Sequence, residues 1–358
     1  SHSPSWRGAV GASRAFPMIA LPFFGVVIAD RMDRRTLLWM TQSAQALVSI
    51  VLTALVAAGA ATVWNISALT LIAGIAHAFD QPTRQAIVPA LVPRQDLRRA
   101  IALHSVVFTG GALLGPAIAG LLAPTLGLAM VLLINTLSFT PVFVALALLN
   151  LPSFQARRHE HVLESVRDGL RFAFSRELIV VVILVSAIAS LFGRSYQMLA
   201  PVFAKDVLLT DITGLGWLTS APGLGAILGA FIVAGVHRMP PNGRLAGFAV
   251  AGYLVALIVF ALSNNFIASI VSLIIVGFFN TMFSAAVRTI LQLATPETYY
   301  GRVMSLNTIT FIGFTPLGSL IIGSIAEPFG IQFATLVGAL VVAIACAWAW
   351  IRHPSLRM

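Results

Sequence analysis

The stretch Pro93–Gly127 reads PRQDLRRAIALHSVVFTGGALLGPAIAGLLAPTLG, and Pro296–Gly330 reads PETYYGRVMSLNTITFIGFTPLGSLIIGSIAEPFG. The two are offset by 203 residues, and eleven of their 35 positions are identical without a gap. Four of the eleven are glycines (Gly110/Gly313, Gly115/Gly318, Gly120/Gly323 and Gly127/Gly330), where the close approach of backbones matters more than hydrophobicity. A parallel repeat of this length in an apolar chain implies two homologous helical bundles around a shared pathway.

Composition places that repeat in lipid. The chain has 358 residues, 58% of them hydrophobic and only 9% charged; a soluble domain carries about 25% charged residues. Its net charge is +10 and its pI about 11.3. The arginines sit in short clusters between apolar runs, however, with no basic surface interleaved with aromatics, so nucleic acid is not an expected partner. Cys346 is the single cysteine, which excludes a disulfide framework and a thiolate metal cluster.

A spanning helix needs about 20 mostly apolar residues. Eleven such runs are present, at 8–28, 37–60, 63–84, 98–123, 128–150, 177–203, 214–236, 245–264, 266–291, 303–326 and 331–351. Lys and Arg concentrate in alternate loops: Arg31, Arg34 and Arg35; Arg94, Arg98 and Arg99; Arg157 to Arg176; Arg238 and Arg244; Arg302; Arg352 and Arg357. The intervening loops carry almost none, Lys205 excepted. The positive-inside rule makes the first set and the C-terminus cytoplasmic. Moving the span at 177–203 back by 203 residues sets its counterpart before Ser1, so the expected plan has twelve spans with the first missing. The opening SHSPSWRGAV reads as a loop feeding a helix, not as a signal peptide. The expected domains are residues 1–150 (helices two to six), a linker at 151–176 and residues 177–358 (helices seven to twelve). In the linker, Val162, Val166, Leu170 and Phe174 form an apolar stripe every four residues, as in an amphipathic helix on the inner membrane surface.

The loop after the first run reads GVVIADRMDRR, residues 25–35. Its arginines and aspartates could close a cytoplasmic gate by pairing, or simply anchor topology. This segment resembles the signature between helices two and three of the major facilitator superfamily, with Asp30, Arg31, Arg34 and Arg35 matching. Gly25 stands one position before the family's leading glycine, and Asp33 replaces its second. The DRxDRR form and AFDQPTRQAIVPALVP, residues 78–93, are similar to the branch holding macrolide-efflux proteins and the enterobactin exporter. The resemblance implies an all-α integral membrane protein with the major facilitator fold: two pseudo-symmetric six-helix bundles, eleven of the twelve helices being present.

Three further groups of residues stand out. Gly111, Gly115, Pro116 and Gly120 lie in the fifth of the twelve planned spans. They resemble the G-x-x-x-G-P-x-x-x-G element of antiporters in the superfamily, which implies a bend and export, although ordinary small-residue packing reads the same way. His77, Asp80 and Arg84 share one helical face, forming a gate or protonation site, or a static pair near the interface. Arg194 and Gln197 lie in the seventh span, and Asn280, at His77 plus 203, in the tenth. Since helices one, four, seven and ten line the cavity in the superfamily, the resemblance makes these three the solute-contact candidates.

No catalytic constellation, phosphate loop or metal-ligand spacing occurs, so neither enzyme chemistry nor a cofactor is expected. The expected function is secondary-active transport in a bacterial inner membrane by a monomer embedded in lipid. It is read as export of an amphipathic drug, siderophore or lysolipid in exchange for protons. Symport or uniport of a small metabolite on the same fold is the alternative, and a membrane sensor without transport is another.

Overall fold

The computed structural model describes residues 33–93, 96–148, 170–235 and 242–353. The run at 8–28, most of the linker stripe, and Gly25, Asp30 and Arg31 of the signature lie outside these.

Every regular element among the described residues is helical. The first group is α1 (Arg34–Ala57), α2 (Val63–Leu91), α3 (Leu97–Leu126), α4 (Leu128–Leu137) and α5 (Phe139–Leu148). After the linker come α6 (Glu177–Ile188), a π-helical segment (Ala189–Gly193) and α7 (Tyr196–Asp206). Five long helices complete the chain: α8 (Ile212–Gly235), α9 (Asn242–Leu262), α10 (Phe266–Ala294), α11 (Glu297–Phe329) and α12 (Ile331–Arg352). The ten runs predicted from residue 37 onward all appear as helix. The run at 128–150 is delivered as α4 plus α5, and the run at 177–203 as α6, the π segment and α7. Seven of the spans so formed are long and apolar enough to cross a membrane. α2, α3 and α11 hold shorter apolar stretches, Val63–His77, Leu113–Leu126 and Leu317–Phe329, within longer helices.

Helix starts follow from local chemistry. Asp33, Thr62 and Asn265 cap α1, α2 and α10, each side-chain oxygen accepting a backbone N–H of the first turn. The repeat reappears at the joints. Gly127 closes α3 at φ 80° and ψ 154°, and Gly330 closes α11 at φ 86° and ψ 155°. Each glycine N–H donates to the alanine carbonyl four residues back, Ala123 or Ala326, and each glycine begins the next helix at once. Only glycine takes this φ cheaply, so its identity in both copies fixes the same sharp joint.

The described residues form two compact units, 33–108 with 121–148, and 109–120 with 170–353. In the first, α1 packs on α2, α4 and α5 around Leu38, Ile87 and Leu146, with Trp39 stacked on Phe143 at 5.3 Å. Ser49 and Thr53 of α1 bond Thr136 of α4, and Asn135 donates to Ser49, so hydroxyls and an amide tie helices where lipid supplies no water. The second unit has the larger core, in which Phe203 stacks on Phe260 at 4.3 Å and Leu257, Leu273 and Leu291 are fully buried. There α8 and α10 interlock backbone to backbone, Gly277 against the Pro222 carbonyl and Gly225 against that of Ile274. Large apolar side chains such as Phe231, Val255 and Ile267 remain exposed, as the outer faces of a lipid-embedded bundle require.

Candidate functional site

Two polar clusters are buried, one in each unit. In the first, Asp80 of α2 is almost wholly withdrawn from solvent. Its Oδ1 accepts from Gln42 Nε2 at 2.6 Å and Thr41 Oγ1 at 3.1 Å, both on α1. Its Oδ2 accepts from Arg84 Nε at 2.6 Å, one turn further along α2. The carboxylate is therefore a node between α1 and α2. The spacing of four that placed Asp80 and Arg84 on one face also forms their ion pair, and the α-helix continues through Pro82 between them. His77 lies half-buried one turn earlier. Sequence reasoning missed Thr41 and Gln42. Their signal was the polar run TQSAQ, residues 41–45, inside an otherwise apolar span.

The signature residues within the described region hold helix ends. Asp33 Oδ2 accepts from the Thr36 backbone N–H at 3.0 Å and its hydroxyl at 2.9 Å. Arg35 donates to the Leu146 and Ala147 carbonyls at 3.1 and 2.9 Å, near the C-terminal end of α5, where a cation is favoured. Arg34 opens α1.

The second cluster surrounds the π segment. A π turn is rare and wide, and occurs mostly as a single bulge at functional positions. Neighbouring helices secure its carbonyls. Tyr253 of α9 donates its hydroxyl to the Gly193 carbonyl at 2.6 Å, while Gly318 of α11 lies against that of Leu191 and Gly338 of α12 against that of Phe192. Ser190 and Thr315 link the segment to α11 at 3.0 Å. Next to the bulge, Arg194, Ser190, Tyr253 and Asn280 line a cavity of about 10 Å³. That is room for about one water molecule. Arg194 and Asn280, far apart in sequence, are thus brought together, whereas Gln197 lies exposed with its amide 3.5 Å from the Tyr196 hydroxyl. Neither Tyr253 nor the π segment was singled out from the sequence. A tyrosine in an apolar span and a glycine before an arginine are the only marks they leave.

Of the predicted bend residues, Gly120 makes the tight contact. A Cβ there would lie 2.9 Å from the Gly216 Cα of α8, and one on Gly216 would lie 2.7 Å from the Pro116 carbonyl. Gly111 and Gly115 meet nothing within 4 Å among the described residues. The helix runs unbroken from Leu97 to Leu126 through Pro116.

Among the described residues no group of His, Cys, Asp and Glu could hold a metal ion.

Comparison with known proteins agrees with this architecture. The chain is similar to the enterobactin exporter EntS of Shigella boydii serotype 18, 28% identical over 265 residues, and to that of Escherichia coli O1:K1, 27% identical over the same length. Each alignment covers 72% of this chain and 62% of the relative, so the chain spans under two thirds of the curated relatives it matches. Among solved structures, the inward-facing bacterial homologue of the human lysosomal transporter Spinster superposes with a TM-score of 0.72 at 16% identity, over 96% of this chain and 89% of that one. The nucleoside transporter NupG gives 0.74 at 12% identity, over 97% and 90%. At such identities the shared property is the fold, which is that of the major facilitator transporters. The profile described as transmembrane secretion effector matches residues 1–355, and the chain is accordingly a multi-pass membrane protein belonging to that family of the major facilitator superfamily.

Proposed function

We propose that the protein is a proton-coupled exporter of an amphipathic small molecule, a siderophore, drug or lysolipid, working by alternating access in a bacterial inner membrane with its C-terminus cytoplasmic. The observation that carries the reading is the buried Asp80 carboxylate, held from α1 by Thr41 and Gln42 and from α2 by Arg84. A carboxylate withdrawn from water inside a membrane bundle is costly and marks a pathway or relay. Coupling requires that proton and solute each bind the two facing states unequally. A carboxylate whose partners sit on two helices gains and loses those partners when the helices shift. The similarity to enterobactin exporters supports the outward direction. In this reading His77, Asp80 and Arg84 carry the proton step, and Asp30, Arg31, Asp33, Arg34 and Arg35, with Gly25, form the cytoplasmic gate. Gly111, Gly115, Pro116 and Gly120 set the fifth span's packing, and Arg194, Gln197 and Asn280 act on the solute.

The test is uptake of a siderophore and dye panel into inverted membrane vesicles containing the full-length protein. Gradient-driven accumulation should stop on adding a protonophore. Asp80→Asn should lose that accumulation while still exchanging solute across the membrane. Accumulation unchanged by the protonophore sinks proton coupling; accumulation unchanged in Asp80→Asn removes the role of that residue.

A further inference from the structure

A second cavity of the second unit adjoins that of Arg194, sharing Val250 and Phe283 with its lining. It is a groove of about 630 Å³ between α9 and α12, floored by α6 and α10, within the range of about 300–1,000 Å³ typical of ligand pockets. Val182 and Val287 form the floor, while Leu254 of α9 and Cys346 of α12 are among the walls. The floor is buried but the rim is open, Phe248 being 62% and Ile351 71% exposed. Gly247 lets the Trp350 ring lie against α9, since a Cβ there would come within 2.6 Å of it. Among the described residues, the one charged group on the lining is Arg244, exposed in the first turn of α9. Arg352, also exposed, follows Ile351 at the end of α12. The groove is therefore hydrocarbon-like along its length, opens between two spanning helices, and carries its positive charge at one end.

We propose that this groove is a binding site for an anionic diacyl phospholipid, with an acyl chain between α9 and α12 and the phosphate on Arg244. The apolar lining suits an acyl chain, and a guanidinium is a donor that pairs well with phosphate oxygens. Basic pockets between spanning helices attract anionic headgroups for this reason. A tryptophan beside the charged end suits the interface between chain and headgroup. The site requires only that the chain be embedded in a bilayer, so it stands or falls independently of export.

The test uses the full-length protein reconstituted in phosphatidylcholine containing a small share of dibrominated lipid, whose bromines quench nearby tryptophan. The Trp350 signal is the difference between the natural chain and Trp350→Phe. Brominated phosphatidylglycerol should quench it with an affinity roughly fivefold above that of brominated phosphatidylcholine, the preference one arginine near the surface confers. Arg244→Gln should equalise the two lipids, Arg244→Lys should retain the preference, and Ala347→Phe, which fills the groove, should abolish saturable quenching. Equal quenching by both lipids in the natural chain overturns the proposal without recourse to any Arg244 variant. A preference that survives Arg244→Gln, or displacement of the brominated lipid by a transported solute, also overturns it.

Discussion

Replacing Asp80 in steps separates its charge from its shape. Asp80→Ala removes the acceptor of three hydrogen bonds at once. Thr41 keeps a second acceptor, the Leu38 carbonyl at 3.2 Å, but the Gln42 amide is buried and loses the partner it had. An orphaned buried donor costs about 1–3 kcal/mol. The Arg84 pair adds about 1 kcal/mol or less, because its side chain is 42% exposed and solvent screens it. Asp80→Ala should therefore cost about 1–4 kcal/mol. Asp80→Asn keeps an oxygen facing Thr41 and Gln42 but gives up the charge and the oxygen that accepts from Arg84, together about 1 kcal/mol. Arg84→Gln leaves the carboxylate buried with neutral donors. Removing one member of a fully buried pair costs about 3–5 kcal/mol, which Arg84's exposure reduces to about 1–3. The Asp80→Asn/Arg84→Gln double variant should then be little worse than Asp80→Asn alone. The measurement is equilibrium unfolding of the full-length variants in one detergent. If Asp80→Asn is as damaging as Asp80→Ala, or if the two single effects add to within about 0.5 kcal/mol, Asp80 is not the coupled node described here.

Gly318 and Gly323 are both repeat glycines of α11, yet their substitution should diverge. Alanine at Gly318 drives a Cβ into the Leu191 carbonyl, while at Gly323 the nearest atom is 3.9 Å away. Thermal unfolding should fall sharply for Gly318→Ala and stay level or rise for Gly323→Ala, since alanine gains up to about 1 kcal/mol in a helix. Tyr253→Phe removes the 2.6 Å bond to the Gly193 carbonyl and should destabilise by about 1–3 kcal/mol, because a buried acceptor loses its donor. Unchanged unfolding would mean that the π segment does not depend on α9.

What could be read in advance depended on whether the cause was local. The repeat marked Gly127 and Gly330 as equivalent, read there as sites of close backbone approach; the structure shows instead that both take a positive φ at a joint with nothing packed against them among the described residues. Asp80 and Arg84 announced their pairing through helical spacing alone. Thr41 and Gln42 did not, because which face of α1 meets α2 is set by packing between helices. Arg35 shows the same limit: its sequence spacing suits a gate, while its bonds in this structure reach α5, more than a hundred residues away. The π segment left no periodic signature, since five apolar and small residues look the same in a wide turn as in a narrow one. Arg194 and Asn280 were grouped by the family resemblance, and they do share a cavity wall, but the tyrosine that completes it came from a helix outside that group.

That wide turn also bears on how relatives should be compared with this chain. A bulge inserts one residue into a helix and rotates everything beyond it by about 100° relative to an uninterrupted one. A relative whose seventh span is plain α-helix needs a one-residue gap opposite Ala189–Gly193. Without allowance for it, the positions just after the segment, Arg194 first among them, are compared with a neighbour on another face, and a shared arginine would be scored as a difference.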